Sequence, residues 1–151
     1  MQERISRALA FSTQPELLNS LLSLGKASSE GLEQSLVHLV KLRASQINSC
    51  AFCLHMHTAE ARLDGERQVR LDVLSAWRES PVFSARERAA LNWTEKLTRV
   101  AEGKTHGDDF EALCEFFNST EIINLTAVIV TINAWNRVAV GFHFLPEIKD
   151  H

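Results

Sequence analysis

Two cysteines three residues apart, Cys50 and Cys53, are the residues of this chain whose types and spacing most directly indicate chemistry. His57 follows Cys53 by four residues, so the full pattern is C-x-x-C-x-x-x-H. Side chains three and four positions apart are neighbours on a helix surface, which places a titratable base within reach of the same sulfur. Two such thiols can share an oxidation event, and the pattern therefore predicts redox chemistry.

Helix geometry separates His57 from the other nearby histidine, His55. With about 100° of rotation per residue, Cys53 lies at about 300° and His57 at about 340° when Cys50 is set at zero. His55 falls at about 140°, on the opposite side of the helix. We therefore expect one histidine, His57, to belong to the site.

The residues before the cysteines predict that the pair lies at a helix N-terminus. Asn48 and Ser49 are both good N-capping types and would start the helix immediately before Cys50. The unpaired N–H groups and the positive dipole end of a first turn favour a thiolate, which is the form that attacks peroxides and disulfides. The third cysteine, Cys114, has no second cysteine or histidine nearby and is expected to be a small hydrophobic residue of the core.

The composition is that of an ordinary globular protein and excludes several classes of function. The 151 residues are 45% hydrophobic and 23% charged, and they predict a single domain spanning residues 1–151. A net charge of −3 and scattered arginines give no reason to expect a nucleic-acid partner. Neither a signal sequence nor a membrane span is expected. Three cysteines, an odd count, fit a reducing compartment better than a secreted disulfide framework, so we predict a cytoplasmic protein.

Hydrophobic periodicity predicts an all-α fold. The predicted helices cover residues 15–24, 31–46, 50–63, 66–74, 75–78, 84–102, 108–117 and 121–138. The dithiol helix should end at Asp64-Gly65, because glycine suits the left-handed position after a helix. The last helix is apolar on nearly all sides from Ile122 to Val138, which indicates burial on more than one face and a surface for a second subunit.

Three segments of the chain together resemble a known family. They are residues 39–53 with Met56-His57, residues 76–80 (Ala-Trp-Arg-Glu-Ser) and residues 133–137 (Asn-Ala-Trp-Asn-Arg). In these segments the chain resembles the alkylhydroperoxidase D-like branch of the carboxymuconolactone decarboxylase family, whose members are all-helical homo-oligomers with hydroperoxide-reducing dithiol sites. The resemblance implies a hydroperoxide substrate, an external dithiol reductant, no cofactor, and a trimer or hexamer.

The resemblance also implies a role for each residue of the motif. Cys53 would be the peroxide-attacking thiol, Cys50 its resolving partner and His57 the proton relay. The family pattern has a glutamate twelve residues before the first cysteine, where this chain has His38. An imidazole can both accept and donate a proton near neutral pH, so His38 is the fourth candidate catalytic residue. Glu33 is five residues further back, about 140° round the helix from His38, and cannot simply take its place.

Three other interpretations of these residues stay open. Cys50, Cys53, His57 and His38 have the number and type of ligands of a structural zinc site, although structural zinc usually takes its C-x-x-C from a tight turn. A non-catalytic, redox-sensing or scaffolding helical oligomer is the second interpretation. The family name also invites decarboxylation or lactone chemistry, which would not need two thiols. A haem attachment would need a histidine directly after Cys53, where Leu54 stands.

Overall fold

The computed structural model describes residues 1–103 and 107–148, and all regular secondary structure within these ranges is helical. The all-α prediction is therefore confirmed. The helices are α1 (Arg7–Thr13), α2 (Pro15–Ser29), α3 (Gln34–Ile47), α4 (Ala51–Leu63), α5 (Gln68–Val73), α6 (Ala85–Thr98), α7 (Gly107–Cys114) and α8 (Ser119–Phe142). A short 3-10 segment, Leu74–Glu79, follows α5.

Helix α3 forms the centre of the fold and packs against α4, α6 and α8. Its sequence explains this position, because apolar residues occur on most of its sides. Leu36, Val37 and Val40 belong to a core cluster shared with α6, α7 and α8. Leu39 and Leu42 belong to a second cluster, shared with α4, the 3-10 segment and α6. Because α3 is held on two sides, it fixes the position of α4 and of the dithiol.

Helix α8 is the long apolar helix expected at the end of the chain. It begins with a capping box in which Asn118 and Glu121 bond to each other's backbone N–H groups, one residue before the predicted cap at Ser119 or Thr120. Its length and its mean hydropathy of 1.3 would suffice to cross a membrane, but the core helix of a globular protein passes the same test. α8 packs against α2, α3 and α6, so we interpret it as a core helix.

The N-terminal helix α1 was not expected from the sequence. Its N-cap is Ser6, whose hydroxyl oxygen accepts a hydrogen bond from the Leu9 N–H at 3.1 Å. The segment lacks a clear apolar stripe, and Ala10 is its only buried residue. α1 packs against α2, and its Phe11 ring stacks on Trp135 of α8. These tertiary contacts stabilise a helix that the local sequence pattern does not predict.

The predicted end of α2 at Gly25 is wrong, since the helix continues to Ser29. A Cβ added at Gly25 would come within 3.1 Å of the Thr131 methyl group on α8. Glycine is therefore used here for a close approach of two helices and not as a helix end.

The expectation that Cys114 is a core residue is also wrong, because its side chain is exposed. It lies in the last position of α7, and the neighbouring Leu113 and Phe117 are the residues that enter the core.

Candidate functional site

The dithiol lies at the N-terminus of α4, as predicted, but Cys50 itself is the N-cap. Its sulfur accepts a hydrogen bond from the Cys53 N–H at 3.3 Å. Ser49 has a positive φ of 53° and ends the turn from α3, so neither it nor Asn48 caps α4. The two cysteines form a disulfide with a Cα–Cα distance of 5.3 Å. Cys50 therefore occupies a position where helix N–H groups are directed at its sulfur.

A network of partly and fully buried amides fixes the turn that carries the dithiol. The Asn48 side chain donates to the side-chain oxygens of Asn133 and Asn136 at 3.0 and 2.9 Å. Asn136, which is 1% exposed, donates in turn to the Ser45 hydroxyl at 3.0 Å. The Cys50 N–H donates to the Ser45 carbonyl at 3.1 Å. This network joins α3, α8 and the start of α4, and gives a physical role to two of the segments that carry the family resemblance.

His57 is buried in α4 and holds a carboxylate from the same helix. Its Nδ1 lies 2.7 Å from Glu60 Oε2. This contact leaves Nε2 for exchange of a proton with reactants. The pKa of Glu60 is lowered, and the largest cause is the hydrogen bond from His57. Burial acts in the opposite direction, and the charges of His57, Lys41 and His38 lower the pKa further. Glu60 is therefore ionised and orients the His57 ring.

A cavity of about 700 Å³ opens onto Cys53 and His57. Cys50 is not among the described residues that line it, so one sulfur faces the cavity and the other lies behind it. Apolar and aromatic side chains from α1, α2, α4, α8 and the C-terminal segment form part of the cavity wall. These include Phe11, Leu22, Phe52, Ile132, Trp135 and Phe144. Its volume is in the range of pockets that bind small organic ligands.

His38 is buried in α3. Its Nε2 lies 2.6 Å from Asp64 Oδ2 and 3.4 Å from the Gln34 side-chain nitrogen. It lines a second, smaller cavity that contains neither cysteine. Its Nδ1 is buried without a hydrogen-bond partner in the described part of the chain. Among the described residues His38 therefore makes no hydrogen bond to a cysteine, and its charge contributes less than the hydrogen bond from His57 to the lowered pKa of Glu60.

The arrangement gives no support to the zinc alternative. Cys50 and Cys53 are bonded to each other, and the two histidines bond to different carboxylates. Within residues 1–103 and 107–148, no group of three or more His, Cys, Asp or Glu side chains is placed to hold a metal ion.

Comparison with known proteins agrees with this site. A sequence profile of the carboxymuconolactone decarboxylase family matches residues 15–96. The uncharacterized protein YdfG of Bacillus subtilis (strain 168) is 30% identical over 142 residues, which cover 93% of this chain and 95% of YdfG. The chain belongs to the carboxymuconolactone decarboxylase family.

Solved structures place the chain more closely within the family. A protein of unknown function from Agrobacterium tumefaciens, a candidate antioxidant defence protein AhpD, is 41% identical with a TM-score of 0.92. The match covers 98% of this chain and all of that one. An uncharacterized peroxidase-related protein from Silicibacter sp. TM1040 is 26% identical with a TM-score of 0.79, over 91% of this chain and 74% of that one. The chain is therefore a member of the alkylhydroperoxidase D-like branch.

Proposed function

We propose that this family member is a cytoplasmic, thiol-dependent peroxidase that reduces hydroperoxides through a Cys50–Cys53 dithiol–disulfide cycle. The observation that carries the proposal is the asymmetry of the pair. Cys53 lines the large cavity beside His57, whereas Cys50 lies behind it at the helix cap. One thiol is thus placed to meet a substrate and the other to meet only its neighbour.

The reaction follows from this placement. The Cys53 thiolate attacks the outer oxygen of the hydroperoxide, the O–O bond breaks, and a sulfenic acid and an alkoxide form. The alkoxide takes a proton from His57 and leaves as the alcohol. The Cys50 sulfur then attacks the sulfenic acid, which releases water and forms the disulfide. An external dithiol reduces the disulfide by thiol–disulfide exchange and restores both thiols.

The proton path in this proposal contains one carboxylate–histidine contact. Glu60 bonds to His57 and stabilises positive charge on its ring while the proton moves. His38 occupies the sequence position of the family's glutamate, and its charge adds a small contribution to the lowered pKa of Glu60, which the hydrogen bond from His57 chiefly causes. In this scheme the carboxylate beside His57 comes from α4 itself and not from α3.

We also propose that the protein is a homo-oligomer. Apolar side chains remain exposed on the outer faces of α2 and α8, and Leu17, Ile123 and Val130 are each more than half exposed. A second copy of the chain would cover them. Sedimentation at micromolar concentration should give a trimer or a hexamer, and a single species of 17.0 kDa would contradict this part of the proposal.

The peroxidase proposal is tested by hydroperoxide consumption with dithiothreitol as the reductant. The parent protein should consume many equivalents of cumene hydroperoxide, and Cys53→Ser should consume none. Cys114→Ser is the matched control, because it removes an exposed thiol outside the site and should retain full activity. Equal activity of Cys53→Ser and the parent would overturn the proposal.

A further inference from the structure

Lys41 is a cation of the site that the proposed chemistry does not use. It lies on α3, is half-buried, and lines the same cavity as Cys53 and His57. Among the described residues its ammonium group makes no hydrogen bond and no ion pair within 4 Å. Burial lowers its pKa, and the charge of Glu60 opposes this only in part. A partly desolvated ammonium without a direct partner is costly, which indicates that a bound anion completes this site.

Glu60 is not that partner. Its carboxylate is held by His57 at 2.7 Å, so it interacts with Lys41 only through space. The cavity contains two other cations, Arg7 and Lys26, but both side chains are exposed to water and need no partner. Of the three cations that line the cavity, only Lys41 is therefore half-buried without a charged partner.

The position of Lys41 also limits the shape of the ligand. Lys41 and Cys53 line one cavity from two different helices, α3 and α4, so a ligand that contacts both must bridge the space between them. An aromatic ring or a short chain would span this gap. Phe52 and Trp135 line the cavity and offer apolar surface for such a ring or chain.

We propose that Lys41 binds the carboxylate of an acidic, aromatic or similarly bulky hydroperoxide while its peroxide group reaches Cys53. The inference rests on the proposed peroxidase function and names its substrate class. It makes Lys41 a specificity-determining residue, because the contact selects among hydroperoxides without taking part in the bond changes.

The test compares p-carboxycumene hydroperoxide with its methyl ester. The two compounds share the reacting group and nearly the same shape, and they differ in the negative charge. We expect the parent protein to prefer the acid by about tenfold in kcat/KM, the effect of one charge-assisted hydrogen bond. Lys41→Gln should abolish this preference while the ester is still reduced, and Lys41→Arg should restore most of it. Lys26→Gln, which removes an exposed cation from the same cavity, should keep it.

The ratio between the two compounds separates this inference from the peroxidase proposal. A variant that damages folding or proton transfer slows both reactions and leaves their ratio unchanged. Equal kcat/KM values for the acid and the ester in the parent protein would overturn the role of Lys41 and leave the peroxidase intact. An unchanged preference in Lys41→Gln would also overturn it. If the parent protein reduced none of the three compounds, the acid, the ester and cumene hydroperoxide, both proposals would be overturned.

Discussion

Replacement of Glu60 by glutamine tests whether its carboxylate serves the chemistry of His57. Glutamine keeps the size of the side chain and can still accept a hydrogen bond from Nδ1, but it removes the negative charge. Two unit charges about 4 Å apart interact by about 4 kcal/mol at an effective dielectric constant of about 20. The Glu60 side chain is 47% exposed, and solvent reduces this to about 1–2 kcal/mol. We therefore expect a loss of about 5- to 30-fold in the rate of peroxide reduction.

The assay is single-turnover reduction of cumene hydroperoxide by the pre-reduced protein, together with urea unfolding of both proteins. Stability should change by less than about 1 kcal/mol, because exposed ion pairs contribute little. Glu30→Gln is the matched control, since Glu30 also borders the cavity but does not hold His57. Its rate should stay within about twofold of the parent's. A Glu60→Gln rate equal to that of the control would refute the role of the carboxylate.

Three further changes test the scaffold and the proton path. Glu95 accepts hydrogen bonds from Trp77 and Arg43 at 2.8 Å, and Glu95→Gln should lower the free energy of unfolding by about 2–3 kcal/mol in urea titrations. Burial raises the pKa of Glu95, but the two hydrogen bonds outweigh this effect and lower the pKa below 4.5. The stabilisation by Glu95 should therefore be complete above pH 4.5 and should disappear as the pH falls through the lowered pKa. Ser49 has a φ of 53°, so Ser49→Val should lower the free energy of unfolding by about 1–2 kcal/mol, whereas Ser49→Gly should leave it unchanged or raise it. Equal changes in the two variants would argue against backbone strain at this position. His38→Leu should move the acid limb of the activity profile to higher pH, because Glu60 loses a charge that lowers its pKa; an unchanged profile would make His38 a packing residue.

The sequence was most informative where a short-range pattern decides the structure. Asn48 and Ser49 predicted a helix start just before Cys50, and α4 does begin there, although Cys50 itself is the cap. The helix predicted over residues 84–102 begins in the structure with a capping box of Ser84 and Glu87, two residue types that favour a helix start at this spacing. Both helix starts depend on contacts between residues at most four positions apart, and such contacts can be predicted from the sequence alone.

Features that depend on contacts between distant segments could not be predicted. α1 forms because its Phe11 packs on Trp135, more than a hundred residues away. Gly25 lies inside a helix, where the absence of a side chain allows Thr131 to approach closely. Each of these follows from the tertiary arrangement and not from a local preference.

Glu60 and Lys41 were missed for different reasons. The three-residue spacing from His57 to Glu60 is visible in the sequence and could have been noticed as a possible contact on one helix. The half-buried position of Lys41 depends on how α3 and α4 pack, which no spacing reveals. The expectation for His38 rested on its place in the family motif, and only the structure relates it to Asp64 and Glu60.

Mass spectrometry of the reduced protein after one equivalent of cumene hydroperoxide tests the central claim most directly. The parent should lose two hydrogens, and peptide mapping should place a disulfide between Cys50 and Cys53 while Cys114 stays a thiol. Cys50→Ser should gain one oxygen atom on Cys53, because the sulfenic acid has no resolving partner, and Cys53→Ser should be unmodified. Oxygen added to Cys50 in Cys53→Ser, or a disulfide that contains Cys114, would contradict the assignment of Cys53 as the attacking thiol.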